Sequence, residues 1–85
     1  MKHAGGAALD QLEPLLARIR ACGVLRENSR GIFYLKSRAV LHFHEDPAGI
    51  FADIRDGDGK AFDRLKLDAA AEAEILARVA AIRQR

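Results

Sequence analysis

The sequence predicts an α+β fold: a helix, a four-stranded antiparallel meander and a second helix, with both helices on one face of the sheet in a two-layer sandwich. Two observations predict it. Apolar residues recur every three to four positions near both ends of the chain and every second position between residues 31 and 67. The connections within that central region are short and built from Gly, Pro, Asp and Ser, so neighbouring strands are joined as hairpins.

Residues 1–8, "MKHAGGAA", are small and Gly-rich and are expected to form a flexible tail that leaves His3 in solvent, with a single domain over 9–85. Leu9, Leu12, Leu16, Ile19 and Cys22 then form one apolar stripe of a helix. Asp10 with Glu13 has the spacing of a capping box; with Glu13 as the cap, Pro14 takes the favoured first helical position. Gly23 suits a left-handed stop, Val24 and Leu25 dock the connection onto the core, and "RENSRG" reads as a polar loop. Four strands follow, at Ile32–Lys36, Ala39–Glu45, Ile50–Asp56 and Ala61–Leu67. "KSR", "DPAG" and "GDGK" supply the turns, and Asp58-Gly59 is the dipeptide of a two-residue hairpin. Asp68 caps the last helix, Ala69 to Gln84, in which Ile75, Val79 and Ile82 form the stripe with Leu76 at its edge. Glu72 and Glu74 near its start, and Arg78, Arg83 and Arg85 near its end, complement the helix dipole.

At 85 residues the chain holds one domain with a modest core. The net charge is +2 and the calculated pI about 9.0, but acids and bases are interspersed, which argues against a nucleic-acid face. The single Cys22 excludes an internal disulfide and a cysteine zinc cage and reads as a packing residue. No run approaches a membrane span and no secretory leader is visible, so the expected location is the cytoplasm, with no membrane partner.

Alternation sorts the strands into faces. Phe33, Leu35, Leu41, Phe43, Ala52, Ile54, Leu65 and Leu67 face the helices. Tyr34, His42, His44, Phe51, Asp53, Arg55, Phe62, Arg64 and Lys66 fall on the outer face. The turn lengths set Glu45 opposite Ile50, His42 opposite Asp53, His44 opposite Phe51, Asp53 opposite Arg64 and Arg55 opposite Phe62, so that a row His42–Asp53–Arg64 crosses that face.

This row admits several chemistries. His42-x-His44 places two imidazoles on one side of a strand, a known way to hold a transition metal, with Asp53 as a third ligand but no evident fourth; Glu45 has the wrong parity and borders the turn. His42 beside Asp53 imitates an acid–base pair, yet no Ser, Thr or Cys stands where a nucleophile is needed, and Arg64 makes Asp53 an anchor rather than a proton carrier. Asp53 should favour protonated His42 and Arg64 should oppose it; with the aspartate closer, the histidine's folded pKa is raised. "DGDG" does not complete a calcium loop, because Ile54 and Leu65 would occupy its first and twelfth positions.

The run "VLHFHEDPAGIFAD", within a stretch covering about residues 20–67, resembles the core of small uncharacterised bacterial α+β domains. The layout is also similar to that of the MmcQ/YjbR-like domains, which are described as double-wing DNA binders. The first resemblance implies a bacterial origin but neither a reaction nor a cofactor; the second implies DNA contact, against which the charge pattern argues.

A solvated antiparallel face is mostly Thr, Lys, Glu and Ser, whereas this one offers Tyr34, Phe51, Phe62 and two histidines among paired charges. The expectation is therefore a small non-enzymatic binding module, without a cofactor, that self-associates as a homodimer through Tyr34, His42, His44, Phe51, Asp53, Phe62 and Arg64. A small-ligand or metal-binding pocket on His42, His44 and Asp53 is the alternative, ahead of a nucleic-acid-binding domain, and the same face admits a protein or small-molecule partner.

Overall fold

The computed structural model describes residues 2–55 and 60–82. Its elements in chain order are β1 (Lys2–His3), α1 (Gly6–Cys22), β2 (Arg26–Ser29), β3 (Ile32–Leu35), β4 (Arg38–Asp46), β5 (Gly49–Arg55), β6 (Phe62–Lys66) and α2 (Ala69–Ile82). The class is α+β as expected, but the sheet has six antiparallel strands in the described residues rather than four. Strands β2 to β6 form a meander in chain order, and β1 pairs with β4 beyond the end of β3.

The four expected strands appear within a residue or two of their expected bounds. Glu45 pairs with Ile50, and the ladder runs one step further to Asp46 and Gly49. Asp46 closes this turn by accepting a hydrogen bond from the Ala48 amide at 3.0 Å, and Gly49 takes a positive φ of 140°. The expected Asp58-Gly59 hairpin and the residues Arg83, Gln84 and Arg85 lie outside the described residues.

Three expectations are corrected. Residues 2 and 3 do not belong to a tail: Lys2 pairs with Glu45 and His3 with His44, and the Ala4 amide donates to the Phe43 carbonyl at 3.0 Å. Helix α1 begins at Gly6 rather than near Asp10, so Asp10 and Glu13 cap nothing and Pro14 lies inside the helix. Proline there removes the amide that would have reached the Asp10 carbonyl, a loss the helix tolerates because the buried Ala8, Leu9 and Leu12 anchor the turns before it. The "RENS" segment is a strand, not a loop. Its order comes from charge: Glu27 accepts from Arg20 Nε at 2.6 Å and from the Gly31 amide at 2.8 Å, tying β2 to α1.

The core lies between the helices and one sheet face. Leu9, Leu12, Leu15, Leu16 and Ile19 of α1 and Ile75 and Val79 of α2 pack with Phe33, Leu41, Phe43, Ala52 and Ile54. Cys22, Val24 and Leu25 border it, half-buried. Gly31 is required at the corner before β3: its φ is +81° and a Cβ there would stand 2.6 Å from Leu9 Cδ2. The expected helix ends at Gly23 and Asp68 are observed. Gly23 is left-handed with φ 68°, and Asp68 Oδ1 accepts from the Ala71 amide at 2.7 Å. Arg78 does more than complement a dipole, because it joins α2 to β6 through Asp63 at 2.8 Å. No described helix is long and apolar enough to cross a membrane.

Candidate functional site: three histidines on the open sheet face

Antiparallel register builds the site. Residues directly opposite on paired strands share a face, and so do residues two apart on one strand. His3 on β1 stands opposite His44 on β4, and His42 lies two residues before it. All three histidines of the chain therefore meet on the face away from the helices. The His3 and His44 rings stack with centroids 4.8 Å apart and planes 29° apart. His42 meets His44 edge-on at 4.9 Å and lies 5.7 Å from His3. One nitrogen of each imidazole falls within a span of 4.8 Å.

The expected registers hold: His42 is opposite Asp53, His44 opposite Phe51, Asp53 opposite Arg64 and Arg55 opposite Phe62. The side chains, however, lean along the diagonal. Asp53 Oδ2 lies 3.1 Å from His44 Nε2, not against His42, and its two oxygens accept from Arg64 Nε and Nη2 at 2.8 Å each. Asp53 is thus the one buried charged residue among those described, and the Arg64 guanidinium holds its carboxyl below the usual range. Burial pushes the His42 imidazole below its ordinary value, and the neighbouring Asp53 charge only partly offsets this. The expectation of a raised His42 pKa is corrected: the carboxylate sits nearer His44 and is neutralised by Arg64, so desolvation of His42 prevails.

Three imidazole nitrogens in this group, His42 Nδ1 and both nitrogens of His44, are buried without an aligned hydrogen-bond partner. Buried polar atoms are nearly always bonded, so three such atoms in one place single out this cluster as the candidate site. The His44 Nε2 contact with Asp53 is close but lacks hydrogen-bond alignment.

The surrounding residues frame the cluster. Phe62 meets His42 edge-on at 4.9 Å, is 38% exposed, and carries the Arg55 guanidinium 4.5 Å above its ring. Arg55 Nε also donates to the Ala39 carbonyl at 2.7 Å. Phe51 is half-buried opposite His44. Tyr34 stands away from the histidines, opposite Ala39, where a register shift interrupts the alternation on which its placement rested. Val40, absent from the expected outer face, is buried outside the main core cluster. Glu45 does not merely border the turn: its carboxylate accepts from the Gly5 amide at the start of α1 and lies 3.9 Å from Lys2 Nζ, which fixes β1 against β4.

His3 is the site residue that sequence reasoning missed. A two-residue strand has no periodicity to read, and the only signal was the third imidazole of a chain whose other two share a strand face. The fold and site together define a small α+β domain with a tri-histidine cluster on the sheet face opposite the helices. No protein-family model, curated protein or solved structure matches this chain.

Proposed function

We propose that this domain binds a divalent transition-metal ion through His3, His42 and His44. The convergence of these imidazoles, with His42 Nδ1 and His44 Nδ1 buried without a hydrogen-bond partner in the protein, carries the reading. Imidazole donors suit zinc, copper, nickel and iron, while calcium and magnesium prefer oxygen. Tetrahedral zinc–nitrogen bonds of ~2.0–2.1 Å place ligand atoms about 3.3–3.4 Å apart, so the widest span here closes by about 1.5 Å through side-chain rotation. Asp53 has the place of an outer carboxylate: it faces His44 Nε2, leaving Nδ1 of that ring for the metal. Asp53 thus moves from third ligand to orienting residue, and His3 takes its place.

Zinc titration of protein made without a histidine tag, followed by calorimetry and metal analysis, tests this. About one ion per chain should bind at neutral pH, and His3→Ala, His42→Ala and His44→Ala should each weaken binding strongly. Absence of binding, or binding unchanged in all three variants, would overturn the proposal.

A second reading, non-enzymatic self-association through the same face, is supported by the exposure of Phe62 and by the limited core of a short chain. Light scattering at micromolar concentration should report about twice the 9.3 kDa chain mass. A monomer at every concentration would remove it.

A further inference from the structure

We infer that the metal centre is open: three protein ligands hold the ion and a fourth, exchangeable position takes water or a small anion. This rests on the tri-histidine reading above and adds what the site binds in turn. Two observations carry it.

The first is the absence of a fourth protein donor among the described residues. The cluster offers three imidazoles as donors. Asp53 is the nearest carboxylate, but both of its oxygens are engaged by Arg64. Glu45 is engaged by Gly5 at the foot of α1 and faces Lys2. Cys22 belongs to the helix layer, where its thiol donates to the Arg18 carbonyl at 3.5 Å. Both helices pack on the other side of the sheet and do not cover the histidines.

The second observation is charge. Neutral imidazoles add nothing to a dication, and the Asp53 carboxylate that would offset it is compensated by Arg64. The centre therefore keeps its positive charge and attracts an anion. Closed structural sites tend to use four protein ligands, often thiolates, while three-histidine zinc sites keep an open position and lower the pKa of bound water to about 7. The ligand class is accordingly hydroxide and small monodentate anions.

Cobalt(II) in place of zinc makes the coordination visible. Tag-free protein loaded with cobalt should show a visible spectrum that titrates with pH near about 7. Azide should change that spectrum saturably and suppress its pH titration. Arg64→Gln, which frees the Asp53 carboxylate, should weaken azide binding by about tenfold while cobalt remains bound. A cobalt spectrum indifferent to azide and to pH would show a closed site and overturn this inference while leaving the metal proposal standing. Failure of cobalt and zinc to bind at all would overturn both. The wild-type titration decides the matter if Arg64→Gln proves unstable.

Discussion

Arg64 grips both carboxylate oxygens of Asp53 in a two-pronged ion pair, Nε to Oδ1 and Nη2 to Oδ2, each at 2.8 Å. The pair is lopsided in its solvation: the Asp53 side chain is 9% exposed and that of Arg64 is 52% exposed. Losing the arginine leaves a buried acceptor without its partner, while losing the aspartate frees an arginine that water can solvate. Arg64→Met should therefore destabilise the fold. Asp53→Asn with Arg64→Met should recover part of that loss, because the double variant buries no charge. Urea unfolding of the two variants measures both, and equal stability of Arg64→Met and the parent would show that the pair contributes nothing.

Stability of the metal-free protein should fall as the solution is acidified. His42 has a folded pKa below its unfolded value, chiefly through burial, in a setting shared with His3, His44, Asp53 and Arg64. The unfolded chain then binds the proton more readily, so stability is lost as pH falls through about 6.5 and on toward the folded pKa. Asp53 is depressed by Arg64 and acts in the same direction at lower pH: its contribution is complete above the unfolded value of about 3.9 and lost as pH falls through the folded one. Thermal melts with EDTA from pH 7 down to about 2 should trace this decline through both windows. His42→Gln should flatten the limb above pH 5 and leave the lower one. A melting temperature that rises on going from pH 7 to 5 would contradict the assignment.

The pattern of what the sequence disclosed follows from which signals have a period. Leu41, Phe43, Ala52 and Ile54 alternate with polar residues across short turns, and a slip of one residue would have exposed all of them. That is why the pairings of His42 with Asp53 and Asp53 with Arg64 could be read in advance. Lys2–His3 is too short to alternate, and Arg26–Ser29 is held by Glu27 and Arg20 rather than by apolar packing. Pro14 pointed to a helix start because proline is favoured there, but here it occupies an interior turn. Register also fixes backbone partners without fixing side-chain lean, so Asp53 was set against His42 when it meets His44.

The two faces of the sheet should respond oppositely to loss of a phenyl ring. Phe43 is 2% exposed within the core, and Phe43→Ala should cost about 3–5 kcal/mol of stability. Phe62 lies 38% exposed on the other face, so Phe62→Ala should cost far less fold stability and should instead weaken self-association. Phe51→Ala, half-buried opposite His44, should fall between them in stability. Chemical unfolding and sedimentation on the same samples separate the effects. If Phe62→Ala unfolds as readily as Phe43→Ala, the uncovered face is not what the exposure says it is.

His3 gives the sharpest test of the metal reading, because its two roles can be separated. In the metal-free fold it is an exposed residue of a short strand, whose backbone pairing with His44 needs no imidazole. His3→Ala should therefore change the apo melting temperature little, as surface substitutions do, by within about 0.5 kcal/mol of stability. Zinc binds the folded arrangement and should stabilise it by mass action, about 2.7 kcal/mol at a hundredfold excess over the dissociation constant. In a domain of this size that is a rise in melting temperature of about 10 °C or more. The rise should vanish with EDTA and shrink below about pH 6, since ligation requires neutral imidazole. His3→Ala should lose most of it while keeping the apo transition. A variant that retains the full zinc shift would exclude His3 from the ligand set and return the site to the strand pair His42 and His44.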